Sequence, residues 1–172
     1  MQLSFQAALD PYHAVFRLFR LMPILQEFGA VEVSKVRILD FYLAFPFRVT
    51  AMRFKQGHTH YRKLGQEFAA AAPYGGQPDD KLLFDRMESP QLAAIQTLAA
   101  QKFLDAIQLE ADFVEPTSKA IPEVLGNRVR EQNRNEKRLI ELLKLMCSDY
   151  PLYGENGLKD RTQLLEHRYD AV

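Results

Sequence analysis

One cysteine, Cys147, is all the sequence has, so an internal disulfide is excluded and the chain fits a reducing cytosol. It has no excess of charge either: 22 Lys and Arg balance 22 Asp and Glu. That balance removes any global pull toward nucleic acid or an anionic membrane and leaves electrostatic work to local patches. No apolar run approaches the roughly 20 residues a membrane span needs. The opening MQLSFQAALD lacks a basic segment followed by a long apolar one, so it does not read as a signal peptide. A cytoplasmic location is expected.

Catalytic signatures are missing as well. There is no G-x-S-x-G elbow, and Cys147 lies in a leucine-rich helical stretch, which suits a small core residue better than a nucleophile. The Gly-Gly pair sits in PYGGQPDD, where the aspartates that follow would repel a phosphate. His58 and His60 could share one metal on a strand but diverge on a helix, and the first acid downstream is Glu67. His13 and His167 have no visible triad partner. No catalytic residue, metal or cofactor is therefore expected.

What is present is a 47% hydrophobic chain of 172 residues, enough to fill the core of one domain. Asp10-Pro11 opens a first helix as N-cap and first-turn proline, with Val15, Leu18, Phe19 and Met22 as its stripe until Pro23 kinks or ends it. Ser34 caps a second helix, VRILDFYLAF, apolar almost all round and so buried on several sides or docked to a partner on one. A third is expected over 49–72, with breaks at Gly57 and Gly65, before the loop PYGGQP. Ser89-Pro90 repeats the cap-and-proline signature ahead of Leu92, Ile95 and Leu98.

The period then changes. Ile107, Leu109, Ala111 and Phe113 alternate with polar residues, which predicts a short strand or ribbon. Glu131 to Ser148 reads as one amphipathic helix with Leu139, Leu142, Leu143 and Met146 inside. The expected fold is mostly α with a small β ribbon, and helix, helix, ribbon is the order of a winged helix. Residues 1–148 would form that domain and 149–172 a C-terminal tail.

Two surfaces stand out. Between Phe41 and Gln66 there are five basic residues and no acidic one: Arg48, Arg53, Lys55, Arg62 and Lys63. They suit phosphate contacts on DNA or a solvated face whose partners lie elsewhere in the fold. A second cluster, Arg128, Arg130, Arg134, Lys137 and Arg138, is diluted by Glu131 and Glu136 and suits intrahelical pairs. The tail from Tyr150 to Val172 keeps three tyrosines and four leucines among charges of both signs. It either wraps back over the chain's own core or docks onto another chain.

Three stretches, DPYHAVFRLFRL, VSKVRILDFYLAFPF and YPLYGENGLKDRTQLLEHRYDAV, together resemble the middle component of bacterial three-component ABC-ATPase defence systems, the group that includes Lamassu-type anti-phage complexes. The resemblance implies a small non-enzymatic accessory subunit between a coiled-coil ATPase of the SMC/Rad50 type and an effector, often a nuclease. The ATPase senses abnormal DNA, and the effector is then released or activated. In that setting the tail is a docking element: Tyr150, Tyr153 and Leu158 are apolar anchors, and Lys159, Asp160, Arg161 and Arg168 fix register. Asp40 to Phe47 is core with some aromatic surface toward a partner. The alternative from another class is a stand-alone winged-helix DNA-binding regulator that uses Arg48 to Lys63.

Overall fold

The computed structural model describes residues 7–72 and 78–165. Helix α1 spans Pro11–Phe28 and starts as its sequence requires: the Asp10 carboxylate accepts from the N–H groups of Tyr12 (2.7 Å) and His13 (3.4 Å). Pro23 does not end it. Its ring faces solvent, while Leu21, Met22, Ile24 and Leu25 around it are buried. Their burial outweighs the lost hydrogen bond, about 3 kcal/mol for a mid-helix proline. The helix ends at Gly29, whose φ of 73° suits glycine and whose N–H bonds to Leu25 O.

Helix α2, Val33–Ala44, is buried at every position from Val36 to Leu43, which explains its all-round apolar character. It runs through the middle of the molecule and touches α1 on one side. Ser34 is not its cap. The chain enters from strand β1 (Val31–Glu32), and the Val33 N–H bonds instead to Asp112 O at 3.0 Å. A 3-10 helix follows over Pro46–Ala51, then α3 over Tyr61–Ala69. The expected helix across 49–72 is therefore two elements. Gly65 marks not a break but a close approach, since a Cβ there would sit 2.8 Å from Thr50 Cγ2 and 2.9 Å from Thr50 N.

Helix α4, Asp80–Ala100, absorbs the second proline signature: Pro90 lies buried inside it, and the cap is Asp79, which accepts from Leu82 N–H. The alternating stretch after it is not a strand. Asp105 accepts from Ile107 and Gln108 N–H and starts a short helix, α5 (Ala106–Glu110). Ile107 is 77% exposed, so the alternation never marked one buried face. Of that stretch, Phe113–Val114 is a strand (β2), and it pairs antiparallel with β1, Val31 opposite Val114, while Leu104 and Pro116 on either side of the turn form a single antiparallel bridge. The fold is thus mostly helical with a small ribbon. The ribbon joins distant segments, whereas the wing of a winged helix is a hairpin of consecutive strands.

The single helix expected over 131–148 is a pair, α6 (Glu123–Asn135) and α7 (Lys137–Asp149). They break at Glu136, where the backbone leaves helical angles (φ −114°, ψ 36°). Leu139, Leu142, Leu143 and Met146 are fully buried, as the stripe predicted. Helix α7 packs on both α1 and α2, and α4 packs along α1. A last turn, α8 (Leu158–Thr162), closes the described chain.

Candidate partner interface

Asp40 is the one carboxylate of α2, which also buries Lys35 and Arg37, and a carboxylate sealed in a core needs a cation opposite it. The cation is Arg17. Its Nε and Nη2 donate to the two Asp40 oxygens at 2.6 and 3.1 Å, and both side chains are sealed from water. The buried Gln91 amide donates to Asp40 Oδ2 (2.9 Å) and Arg37 O (3.1 Å), and accepts from Arg37 Nε (3.0 Å). The Arg37 guanidinium lies over the Phe84 ring at 4.5 Å and pairs with Glu88 at 3.0 Å. Burial pushes its pKa below the ordinary arginine value, with Glu88 opposing. Arg20 donates to Asn133 Oδ1 (2.9 Å) and Glu136 Oε2 (2.6 Å), so the α6–α7 break sits where α1 holds it. Lys35 donates to Cys147 O at 2.9 Å. None of these buried cations was singled out from the sequence. Their signal was placement within apolar stripes.

The tail is folded back on the chain. Tyr150, Leu152, Leu158 and Leu164 are each at most 1% exposed and belong to the main core. The Tyr150 hydroxyl accepts from Lys55 N–H (3.1 Å) and sits 2.9 Å from His58 Nδ1. Burial raises its pKa above that of a free tyrosine, opposed by the Lys55 N–H and the Arg161 charge. Arg53 and Arg161 hold each other twice: Arg53 N–H donates to Arg161 O (3.0 Å), and the Arg161 side-chain Nη1 donates to Arg53 O (2.8 Å). Asp160 pairs with Arg53 at 2.7 Å and accepts from Asn156 N–H at 3.0 Å.

Those contacts sort the sequence-predicted residues. Tyr150 and Leu158 fill the protein's own core, and Asp160 and Arg161 fix the tail against Arg53. Tyr153 is 48% exposed, with the Lys159 ammonium 4.6 Å from its ring, and these two face outward. Arg168 and His167 lie outside the described residues, as does most of PYGGQP.

The basic stretch is similarly divided. Arg48 pairs with Asp80 and bonds to Pro78 O, Arg53 holds the tail, and Lys55 bonds to Asp149 O and lies over the Tyr150 ring. Arg62 and Lys63 remain exposed on α3. Phe47 is half-buried, and the other aromatic side chains between Asp40 and Phe47 are fully inside. Lys137 and Glu141 form the expected kind of intrahelical pair, while Arg138 reaches across to Glu67.

His58 is spent on Tyr150 and His60 stacks on Tyr61 with ring centroids 4.3 Å apart. Among the described residues no group of metal-capable side chains converges, and no helix is long and apolar enough to cross a membrane. The apolar surface left open includes Tyr12 (85% exposed) and Val124 (77%), at the starts of α1 and α6.

Comparison with curated proteins and with solved structures returned no match. A family model does match. It is that of ABC-three component (ABC-3C) system Middle Component 5, it covers residues 3–170, and the chain belongs to that family.

Proposed function

We propose that this chain is a non-enzymatic accessory subunit of a defence complex, seated between an SMC/Rad50-like ATPase and an effector, with a nuclease the favoured effector class. The observation that carries the reading is the match to a middle component along nearly the whole sequence. The named stretches that resemble Lamassu-type systems point to anti-phage or anti-plasmid action. The chain's work is coupling. ATP on the partner supplies the energy, and control of effector release requires that the subunit bind the two ATPase states with different affinity. A core tied by buried ion pairs suits a rigid relay between two partners.

The test is co-expression with the ATPase and effector of the same system, with pull-down on this chain with and without ATP. The expected result is a ternary complex whose effector content depends on nucleotide. An ATPase–effector complex that forms equally well without this chain would refute the reading. Tyr153→Ser and Lys159→Glu test the outward face of the tail in the same assay. The DNA-regulator alternative is weakened by the Arg48, Arg53 and Lys55 side chains, which are already engaged within the fold. It predicts DNA binding by the isolated chain that falls steeply with salt.

A further inference from the structure

Helices α1 and α6 enclose a groove of about 320 Å³ lined by Tyr12, His13, Val15, Phe16, Phe19, Leu125 and Arg128. Its floor is aromatic: Phe19 is buried against Phe103, with ring centroids 5.1 Å apart, and Phe16 is half-buried above it. Tyr12, Phe16 and Phe19 repeat at helical spacing on α1, and Tyr12 is 85% exposed. Val124, 77% exposed, continues the apolar surface on α6 beside the lining residue Leu125. Scattered apolar residues on a surface need no explanation, but a contiguous patch with a concave floor marks an interaction site.

The charge of the groove is one-sided. Its lining holds Arg128 and His13 and no carboxylate. The Arg128 guanidinium rests 5.7 Å from the Phe16 ring and, among the described residues, meets no carboxylate. The acid at the foot of α1, Asp10, is turned onto the Tyr12 and His13 N–H groups and lies 3.7 Å from the His13 ring. A guanidinium over an aromatic face, with its fork left open, is built to meet a carboxylate. A groove walled by two helices, with Tyr12, Phe16 and Phe19 one turn apart along it, suits a third helix that places apolar anchors at the same spacing.

We propose that the α1–α6 groove docks an acidic amphipathic helix of a partner protein, its apolar anchors seated on Phe16 and Phe19 and a carboxylate paired with Arg128. The groove chemistry stands on its own, and the reading of the chain as a complex subunit supplies only the source of the helix.

The test is selection of a random helical peptide library on the purified full chain, followed by affinity measurement on Tyr12→Ser, Val124→Ser and Arg128→Glu. All three positions are exposed, so the variants should fold, and circular dichroism verifies it. Enriched peptides should carry Asp or Glu among apolar residues at helical spacing. Arg128→Glu should weaken them about tenfold, the scale of one lost charge-assisted bond. Exchanging the peptide's acid for Lys should weaken binding to the parent chain by a similar factor and restore it on Arg128→Glu. No enrichment, enriched peptides without acid, or variants that bind the peptides as tightly as the parent chain would overturn the proposal. Self-association of the parent chain, abolished by Tyr12→Ser in sedimentation, would overturn it by showing a second copy in the groove. None of these results bears on whether the chain joins an ATPase complex, because that complex is scored separately by pull-down.

Discussion

Asp40→Ala removes the acceptor of three donors at once: Arg17 Nε at 2.6 Å, Arg17 Nη2 at 3.1 Å and Gln91 Nε2 at 2.9 Å. Gln91 keeps its bond to Arg37 O, so its loss is modest. Arg17 keeps only the carbonyls of Ala7 (3.3 Å) and Ala8 (3.4 Å), both at the long end of the range. The guanidinium of Arg17, a residue only 7% exposed, is then a charge in a dry interior with no carboxylate opposite it. Breaking one side of such a pair costs about 3–5 kcal/mol, a large share of the roughly 5–15 kcal/mol that holds a domain together. At about 2–4 °C per kcal/mol for a chain of this size, the melting temperature should fall by roughly 6–20 °C. Urea unfolding followed by circular dichroism measures it, with a second probe to check that the transition is two-state. The decisive variant is Arg17→Met with Asp40→Leu, which removes both charges and should cost less than either single change. If Asp40→Ala costs under about 1 kcal/mol, or if the double variant loses the sum of the singles, the pair is not desolvated and the reasoning fails.

Truncation after Ser148 should leave the chain aggregated or molten, because it removes Tyr150, Leu152, Leu158 and Leu164 from the core, at about 1.5–3 kcal/mol for each fully buried side chain; a cooperative melt of the truncated protein would contradict this. Tyr150 has a folded pKa raised above 10.0, chiefly by burial, so its contribution is complete below pH 10.0 and is lost as the pH rises through the folded value. Tyrosinate absorbance and helicity should therefore change together in alkali, and Tyr150→Phe should soften that alkaline loss while costing about 1 kcal/mol at neutral pH through the stranded Lys55 N–H. Cys147 is buried and its thiol is pushed up by burial, so alkylation should be slow in the native protein and rapid in urea, and fast native labelling would contradict the packing. Gly157→Ala would bring a Cβ within 2.4 Å of Tyr153 O, so it should lower the melting temperature more than Gly154→Ala, where the added atom meets open space and only the backbone angle is strained.

Local chemistry was legible and long-range chemistry was not. Asp10-Pro11 announced α1 because a cap needs only adjacent residues. Ser89-Pro90 carries the same local pattern yet lies mid-helix, because Asp79 had already started α4 and the burial of Leu83, Phe84 and Met87 carries the helix through the proline. The run from Ile107 to Phe113 imitates a strand, but Asp105 caps a helical turn and Asp112, at φ 67°, ends it. The pairing of Val31 with Val114 depends on segments far apart in the chain, which no window of sequence reveals. Of the tail's alternatives, self-packing holds for Tyr150 and Leu158, since apolar residues between charges look alike whether they seal a core or an interface. The basic stretch was visible as a patch. Its partners, Asp80, Asp149 and Asp160, lie in later elements, so its engagement was not.

The return of the tail onto Arg53, Lys55 and His58 also sets an order of events during synthesis. The ribosome delivers Tyr150, Leu158 and Leu164 after every segment they cover. Until then the apolar core lacks these residues, and the Lys55 N–H and the Arg53 backbone are still paired to water. Closure of the core is therefore a late step, and the interval before it is when a chaperone, or a partner subunit emerging nearby, meets a form of this protein that the finished fold hides.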